Sequence, residues 1–549
     1  MKNKIIENSP FIIFSILYLL IGILSFKDYG VGIEEHFQRS SGLFWLNHIL
    51  EYTQFENLKL IVSNKITELK NFSPMLPKVE ISNYYGILFD LPMAFIESIF
   101  NIQESENYFY LRHLSNFLIF YLSGIFFYKI IKLRTSNSII AFFGSTMYLL
   151  APKAYGNSFF DGKDLFFLSI LTISIYFFLK FLKNSNYNSI ILFALFSAFS
   201  TSSRIFGLLL PISFLFLILL QFVDYKNKKN FLKSLFFYFS FYFIFLILHW
   251  PYMWTINLSD LSNFFDPFKV HGVYKVFFEG EFYESNYLPF SYLPKWIHIS
   301  TPLYYQLLFL LGLFFLLKRI FKRFLNLEEH SHPSLWKGTN EKIDFIILFS
   351  FFQVILICLT TNLNLIKGWT HFLFINFFLI YFAAISIYVI FILFKKNKMI
   401  ISFLVLIFSL FTFELIYKLI IYHPYQNIYL NNLANEYDKS LYEVDYQSLS
   451  RTDAIKEIIK DSKNDNIVVA TASWTPLKNG LSLIPKNKRK NIKFIGTANK
   501  KTADYIYTNY FYDVDIRYNN KYSIPNNFYL FKTLYIDDIK VYSIYKKKL

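Results

Sequence analysis

Long apolar runs separated by short charged segments dominate the chain, and they predict membrane-spanning helices. A helix needs about 20 apolar residues to cross a bilayer, and fewer where protein shields its ends. The runs that approach this length lie at 10–26, 109–131, 138–152, 164–182, 189–203, 205–223, 231–250, 301–320, 343–361, 372–394 and 399–421. The pattern therefore predicts a polytopic α-helical membrane protein with about 11 transmembrane helices.

Positive charges predict the orientation of these helices. Lys and Arg cluster in every second connection, from Lys2 and Lys4 at the N-terminus to Lys395, Lys396 and Lys398 before the last span. Because cytoplasmic loops carry an excess of basic residues, we expect a cytoplasmic N-terminus. An odd number of spans then places the chain after residue 421 outside the cytoplasm.

Two outer connections are long, at 27–108 and 251–300. Within the first, residues 84–100 are apolar but contain Asp90, Pro92 and Glu97. No basic loop follows, so we predict a helix in the membrane interface with its acidic groups facing water. The alternative is a twelfth span, which would invert the orientation of everything after it.

The C-terminal part has a different pattern. Short runs at 467–470, 492–495, 504–507 and 539–545 predict strands, and 451–462 has the periodicity of an amphipathic helix. We therefore divide the chain into a transmembrane domain over 1–421 and a small extracytoplasmic α/β domain over 422–549. That domain contains no glycine-rich nucleotide motif.

Composition narrows the class of protein. The chain is 54% hydrophobic and 17% charged with a net charge of +17. Its basic residues gather at span ends, where they set topology and contact anionic lipid, and this argues against nucleic-acid binding. The single cysteine, Cys358, lies in an apolar run and is expected to pack.

The acidic residues after the first span are candidates for catalysis. This loop carries Asp28, Glu34, Glu35, His36 and Arg39. A carboxylate held beside the membrane can act as a general base for an acceptor hydroxyl. The alternative is a solvated juxtamembrane loop.

Basic residues at the predicted outer level suit a phosphate group. The candidates are Arg112, Lys153, Lys163, Arg204 and Arg39, with Asp161, Asp164 and His371 as further outer-loop candidates. Arg and Lys make charge-assisted hydrogen bonds to phosphate. For any one of them, a snorkelling anchor is the alternative. The histidines at 249, 271, 298, 371 and 423 match no compact zinc spacing, so we do not propose a metal site from them.

With these residues assembled, the chain resembles a GT-C membrane glycosyltransferase, in particular the bacterial relatives of protein O-mannosyltransferases and of the lipid A aminoarabinose transferase. Glu34-Glu35 stands where the family has an Asp-Glu pair, so Glu34 replaces the usual Asp. The stretches 157–164 and 368–371, and 442–446 and 503–510 in the C-terminal part, also resemble this bacterial branch.

The resemblance implies a function and a place in the cell. It implies transfer of a sugar from a polyprenyl-phosphate donor to an extracytoplasmic lipid, glycan or protein, with inversion at the anomeric carbon. Glu34 would be the base, with Glu35 and Asp28 as the other catalytic candidates, and the basic residues would hold the carrier phosphate. The implied partners are membrane lipids, the carrier and the acceptor, in a plasma (inner) membrane, with no cofactor beyond the donor substrate.

Two other functions stay open at this point. A transporter or lipid flippase would also be polytopic and basic, although transporters tend to place charges at the bilayer midplane. Glu414, within the last span, is the exception to an otherwise nearly uncharged set of span interiors. A non-catalytic GT-C-like scaffold is the third possibility, to which Glu in place of Asp at residue 34 lends some weight.

Overall fold

The computed structural model describes residues 2–72, 86–224, 228–255, 272–325, 336, 338–361, 363–434, 439–489 and 491–548. The helices within these ranges are numbered in chain order. They are α1 Lys2–Ser25, α2 Glu35–Leu50, α3 Glu56–Phe72, α4 Asp90–Ile99, α5 Ser105–Thr135, α6 Ser138–Leu149, α7 Pro152–Asn157, α8 Asp164–Asn184, α9 Tyr187–Ser203, α10 Leu209–Asp224, α11 Lys228–His249, α12 Tyr252–Thr255, α13 Tyr292–Ser300, α14 Leu303–Leu325, α15 Thr339–Thr360, α16 Ile375–Leu393, α17 Lys398–Ile421 and α18 Arg451–Asp461.

The prediction of a polytopic helical membrane protein is confirmed. Each predicted span coincides with a helix: α1, α5, α6, α8, α9, α10, α11, α14, α15, α16 and α17. Among the described residues, eight helices are long and apolar enough to cross a membrane. The three others, α6, α9 and α10, have 12, 17 and 16 residues.

Packing explains how the shorter helices are accommodated. Helix α9 lies against α8, where the rings of Phe178 and Phe193 stack with their centroids 4.4 Å apart. The ring of Phe193 also stacks on Tyr238 of α11, at 4.6 Å. In contrast, α17 directs large apolar side chains such as Phe403, Leu410 and Phe413 outward. An exposed apolar surface of this kind indicates contact with lipid.

Local sequence sets several helix ends. Helix α6 begins after Asn137, whose side-chain oxygen accepts hydrogen bonds from the backbone N–H groups of Ile139 and Ile140. Such a cap satisfies donors that have no partner within the helix. Helices α5 and α8 end at Ser136 and Ser185, both in the left-handed conformation that often terminates a helix.

The helix predicted within 84–100 exists as α4, but the predicted exposure of its acidic groups is wrong. The Glu97 carboxylate is buried and accepts two hydrogen bonds from Arg39, at 2.9 and 2.6 Å. Lys65 lies 3.1 Å from the same carboxylate, and Asp90 is paired with Arg112 at 2.5 Å. Because α2, α3 and α5 supply these cations, the acidic side chains of α4 turn toward protein instead of water. Residues 84 and 85 lie outside the described ranges.

The C-terminal part forms the predicted α/β domain. Its sheet has the order β4-β3-β5-β7-β6, from strands β3 Asn466–Thr471, β4 Asn491–Ile495, β5 Tyr505–Thr508, β6 Phe528–Ile536 and β7 Ile539–Lys547. Strand β3 is parallel to β4 and β5, whereas β7 is antiparallel to β5 and β6. Strand β6 was not predicted, although it pairs along most of β7. A separate hairpin, β1 Lys275–Phe278 and β2 Glu281–Glu284, belongs to the long connection 251–300.

The α/β domain packs on the face of the helical part where α1 and α17 end. Arg451 is buried and its Nη2 donates to the Val31 carbonyl oxygen at 2.7 Å. The Ile33 N–H donates to Gln447 O at 3.0 Å. At Gly30 a Cβ atom would lie 2.2 Å from Leu449 O, so glycine permits the two backbones to approach. The loop after α1 is therefore fixed by the C-terminal domain.

Candidate active site

Four connections on the domain-bearing face converge at one place. They are the loop between α1 and α2, the residues just before α8, the turn after α9 and the segment that leads into α16. Each carries charged side chains: Glu34, Lys163, Arg204 and Lys367 belong to one connection each. Glu34 is paired with Lys367, and the charges of Lys163 and Arg204 also lower its pKa, so we group the four residues as one constellation.

Glu34 lies at the start of α2 and is only partly buried, with 34% of its side chain exposed. Its carboxylate forms an ion pair with Lys367, whose ammonium is buried. Burial opposes ionisation, but Lys367, Lys163 and Arg204 outweigh it and hold the pKa of Glu34 well below its usual range. Glu34 is therefore an ionised carboxylate at neutral pH.

A strained turn presents Lys367. Both Lys367 and Gly368 have positive φ angles, 63° and 60°. The left-handed region is unfavourable for lysine, and such strain is concentrated at functional sites. The turn is packed against the Trp296 indole, whose atoms lie 3.5 Å from the position of a Cβ at residue 368. The surrounding aromatic side chains hold the turn in this conformation.

Glu35 faces away from this constellation, into the protein. It is 2% exposed and accepts a hydrogen bond from the Gly32 N–H at 2.7 Å. The same oxygen lies 3.2 Å from Nε2 of buried His113 on α5. The two adjacent carboxylates therefore have different environments. Glu34 is partly accessible at the protein surface, whereas Glu35 is buried and fixes the loop.

Asp164, Arg204 and His371 form a second group beside Glu34. Arg204 Nη2 lies 2.5 Å from Asp164 Oδ1, and His371 Nδ1 lies 3.4 Å from Asp164 Oδ2. The Arg204 and His371 nitrogens are also 3.4 Å apart. One carboxylate at the start of α8 therefore orients two nitrogen-bearing side chains from two different connections.

Asp161 stabilises the loop that precedes α8. Its Oδ1 accepts hydrogen bonds from the backbone N–H groups of Lys163 and Asp164, at 3.2 and 2.8 Å. Burial and the nearby Asp164 carboxylate raise the pKa of Asp161 well above its usual range. A narrow cleft beside Lys163 is bounded by Phe37, Phe89 and Ser203.

Lys153 occupies an aromatic enclosure deeper in the protein. Its ammonium lies 5.0 Å from the ring centroid of Tyr446, 5.4 Å from Trp296 and 5.7 Å from Trp369. It also donates a hydrogen bond to the Tyr446 hydroxyl at 2.5 Å. Burial lowers the pKa of Lys153 to about 7. The enclosure joins the membrane domain to the segment before α18.

Three predicted site residues lie in other contacts. Asp28 is half exposed and pairs with His423 at 3.0 Å. Arg39 is buried against Glu97, and Arg112 against Asp90. These contacts account for their charges without a ligand, and the predicted phosphate-binding roles of Arg39 and Arg112 stay predictions.

The histidines fall into separate environments. His249 lies 2.7 Å from the Ser202 hydroxyl, and His298 lies 2.6 Å from the Gln306 side chain. His271 lies outside the described residues. Over the ranges that the structure describes, no three His, Cys, Asp or Glu side chains form a group able to hold a metal ion.

The sequence did not single out Lys367, Tyr446 or His113. Lys367 directly precedes the segment 368–371 noted for its resemblance, so its position was a usable signal. Tyr446 lies within the noted segment 442–446. Nothing in the sequence marks His113, which follows Arg112 in an apolar helix.

The fold and site together define a polytopic α-helical membrane protein with an α/β domain over a charged site on one face. No protein-family model matches the chain, and no curated protein matches it. Among solved structures, it is similar to ArnT from Cupriavidus metallidurans, crystallised with undecaprenyl phosphate bound. The identity is 9%, the match covers 97% of each chain, and the TM-score is 0.43. ArnT is the aminoarabinose transferase of the group that the sequence resembles.

Proposed function

We propose that this protein transfers a sugar from a polyprenyl-phosphate donor to an extracytoplasmic acceptor with inversion at the anomeric carbon. The observation that carries the proposal is the accessible Glu34 carboxylate among three cations, at the mouth of four converging connections. A base and a group of cations are the two components that displacement of a phosphate leaving group requires.

Glu34 is proposed as the general base. In the ion pair with Lys367 it is ionised but weakly basic, because the cations stabilise its charged form. A donor phosphate that binds Lys367 and Lys163 would compete with Glu34 for these cations. The pKa of Glu34 would then rise toward its ordinary value, which makes the carboxylate a better proton acceptor.

The cations are proposed to bind the carrier phosphate. Lys367 and Lys163 are compact ammonium donors, and Arg204 adds a planar guanidinium that Asp164 orients. As the acceptor oxygen attacks the anomeric carbon, the bond from that carbon to the phosphate oxygen breaks. Its electron pair stays on the phosphate, and the hydroxyl proton passes to Glu34. Negative charge grows on the phosphate where these cations are fixed.

Asp164 and His371 are proposed to position Arg204. The Asp164 carboxylate contacts both of the other side chains and contributes no proton to the reaction. Arginine held in this way does not have to reorganise as charge develops. Lys153 lies within its aromatic enclosure. Its role as a phosphate ligand is supported only by the sequence and stays a prediction.

The test is turnover of radiolabelled polyprenyl-phosphate sugars by the purified full chain in lipid nanodiscs. We expect wild-type protein to release the carrier phosphate from at least one donor. In Glu34→Gln the turnover rate should fall by a factor of about a hundred or more. Glu51→Gln is the matched control, because Glu51 is an exposed glutamate of the same outer connection. Unchanged turnover in Glu34→Gln would exclude Glu34 as the base, and Asp28→Asn then tests the next carboxylate. Absence of turnover with every donor, in folded protein, would overturn the transferase proposal.

A further inference from the structure

A second cleft lies between the outer hairpin β1–β2 and the C-terminal sheet, away from Glu34. Its volume is about 620 Å³. Six aromatic side chains contribute to its walls: Phe277, Phe282, Tyr442, Tyr510, Tyr512 and Tyr535. Lys439, Ser440, Asp538 and Lys540 add polar and charged groups among them. The cleft therefore combines aromatic surfaces with hydrogen-bonding groups.

Contacts at its floor and its rim hold the two walls of the cleft together. At the floor, Phe278 and Tyr442 form an antiparallel bridge, and the Gly280 N–H donates to Leu441 O at 3.1 Å. At the rim, Arg517 Nη1 lies 2.7 Å from Glu281. Binding to a preformed cleft costs little ordering of the protein.

Two tyrosines illustrate how the aromatic surfaces are presented. Tyr510 has a φ of 59°, a left-handed conformation that is uncommon for a residue of this size. A hydrogen bond between its hydroxyl and Ser543, at 2.5 Å, anchors the ring, and Lys540 Nζ lies 4.5 Å from the ring centroid. Tyr535, on β6, is 59% exposed. A large, strongly exposed aromatic ring in a cleft is available for a ligand.

The cleft is connected to the candidate active site through a short chain of rings. The Tyr442 ring at its floor lies 5.1 Å from the Trp296 ring. Trp296 packs on Gly368, the residue after Lys367, and its ring lies 5.4 Å from the Lys153 ammonium. Both the cleft wall and the turn that carries Lys367 therefore contact one buried indole, that of Trp296.

We propose that this cleft binds an oligosaccharide, and, as an addition that rests on the proposed transferase function, that the saccharide is part of the acceptor. A sugar ring has an apolar face of C–H groups and a rim of hydroxyl groups. Its C–H face fits the electron-rich face of a tyrosine, while its hydroxyls bond to Lys, Asp and Ser side chains. A lipid chain would remove water from the charged groups of Asp538, Lys439 and Lys540 and offer them no hydrogen bonds in return.

The cleft is tested by binding alone, with the full chain in nanodiscs. The probes are maltotetraose, isomaltotetraose, mannotetraose and chitotetraose. Their binding is measured by saturation-transfer NMR and by calorimetry. We expect at least one probe to bind with a dissociation constant of about 1 mM or tighter. Tyr535→Ala should weaken that binding about tenfold through loss of one stacking surface.

Two controls separate the cleft from the rest of the protein. Tyr529→Ala removes another exposed tyrosine of β6, 44% exposed and outside the cleft, and should leave binding unchanged. Glu34→Gln should also leave it unchanged. The proposal is overturned if no probe binds at about 10 mM, or if Tyr529→Ala weakens binding as much as Tyr535→Ala.

The two proposals fail in different ways. If the protein binds a saccharide but turns over no donor, the proposal that the cleft binds an oligosaccharide is supported. Only the transferase function and the acceptor role are then contradicted. Donor turnover in protein that binds no saccharide contradicts only the cleft.

Discussion

Glu34 and Lys367, 333 positions apart in the chain, form the ion pair at the centre of the candidate active site. The pair connects the loop after α1 with the turn that leads into α16. It keeps Glu34 charged in a place where burial alone would favour the protonated form. The basicity of Glu34 is consequently set by a residue that lies far away in sequence.

Replacement of Lys367 by Met should move the pH dependence of turnover. Loss of the ammonium removes the largest interaction that lowers the pKa of Glu34, so that this pKa rises. Because a base acts in its deprotonated form, the acidic limb of kcat/KM, which reports the free enzyme, should shift upward, to pH about 4 or above. The pH–rate profile of both proteins gives the shift. Lys295→Met removes an exposed ion pair with Glu279 and should leave the profile in place.

Glu35→Gln should affect the fold of the loop more than the chemistry. The buried Glu35 carboxylate accepts the Gly32 N–H and contacts His113, and the amide reproduces these contacts incompletely. We expect a loss of about 1–3 kcal/mol in the free energy of unfolding. Thermal unfolding in detergent, beside turnover at a permissive temperature, separates the two effects. A variant of full stability whose turnover falls as far as that of Glu34→Gln would contradict this division of roles.

Asp161→Asn and Asp164→Asn should affect turnover differently, although the two carboxylates belong to the same loop. Burial raises the pKa of Asp161, so an amide resembles the form favoured by the fold and keeps an oxygen for the two backbone N–H groups. Asp164→Asn instead leaves Arg204 and His371 without their common carboxylate. Turnover should be nearly preserved in Asp161→Asn and fall about tenfold or more in Asp164→Asn. Equal losses in both variants would refute the distinction.

The raised pKa of Asp161 also has a consequence for stability against pH. Above the unfolded-state pKa of about 4, the unfolded chain releases the proton that the folded chain keeps, so this residue makes stability fall as pH rises. Asp161→Asn should remove that contribution. Unfolding followed from pH 5 to pH 8 should show a smaller decline in the variant than in the wild type. An equal decline in the two proteins would mean that Asp161 is already ionised in the folded protein at pH 5.

Arg451→Met should loosen the contact between the two parts of the chain. The guanidinium is buried and donates to the carbonyl oxygens of Val31 and Ser448, at 2.7 and 2.8 Å. Removal of the donors leaves these acceptors buried, with a cost of about 1–3 kcal/mol for each. We expect a lower Tm and faster proteolysis near Gly30. Lys493→Met, at an exposed lysine of the same domain, is the control and should leave both unchanged.

Hydrophobic patterning predicted the spans and four of the five strands of the C-terminal sheet because both signals are local. A run such as 164–182 must bury its apolar side chains in lipid or protein whichever neighbours it has. The signal for β6 was weaker, because exposed residues such as Leu530 and Tyr535 interrupt any alternation. Glu414 is an isolated carboxylate in the sequence of the last predicted span. The structure gives it a partner, because the Asn432 side chain donates a hydrogen bond to it at 3.2 Å.

The exposure of charged residues was the part that sequence reasoning missed. Glu97 looks the same in a sequence whether it faces water or two buried cations. Its burial depends on Arg39 and Lys65, which α2 and α3 bring to it. For the same reason the sequence could not show that Arg39 and Arg112 contact acidic residues of α4.

The sequence by itself determined that the chain is a membrane protein, where its helices run and that an α/β domain follows them. These features depend on the free energy of burying apolar segments, which is additive along the chain. The tertiary structure alone decided that Glu34 meets Lys367, that Glu35 turns inward and that Asp164 orients Arg204. Such pairings depend on distances between residues remote in sequence, because charge interactions fall off with separation in space and carry no local periodicity.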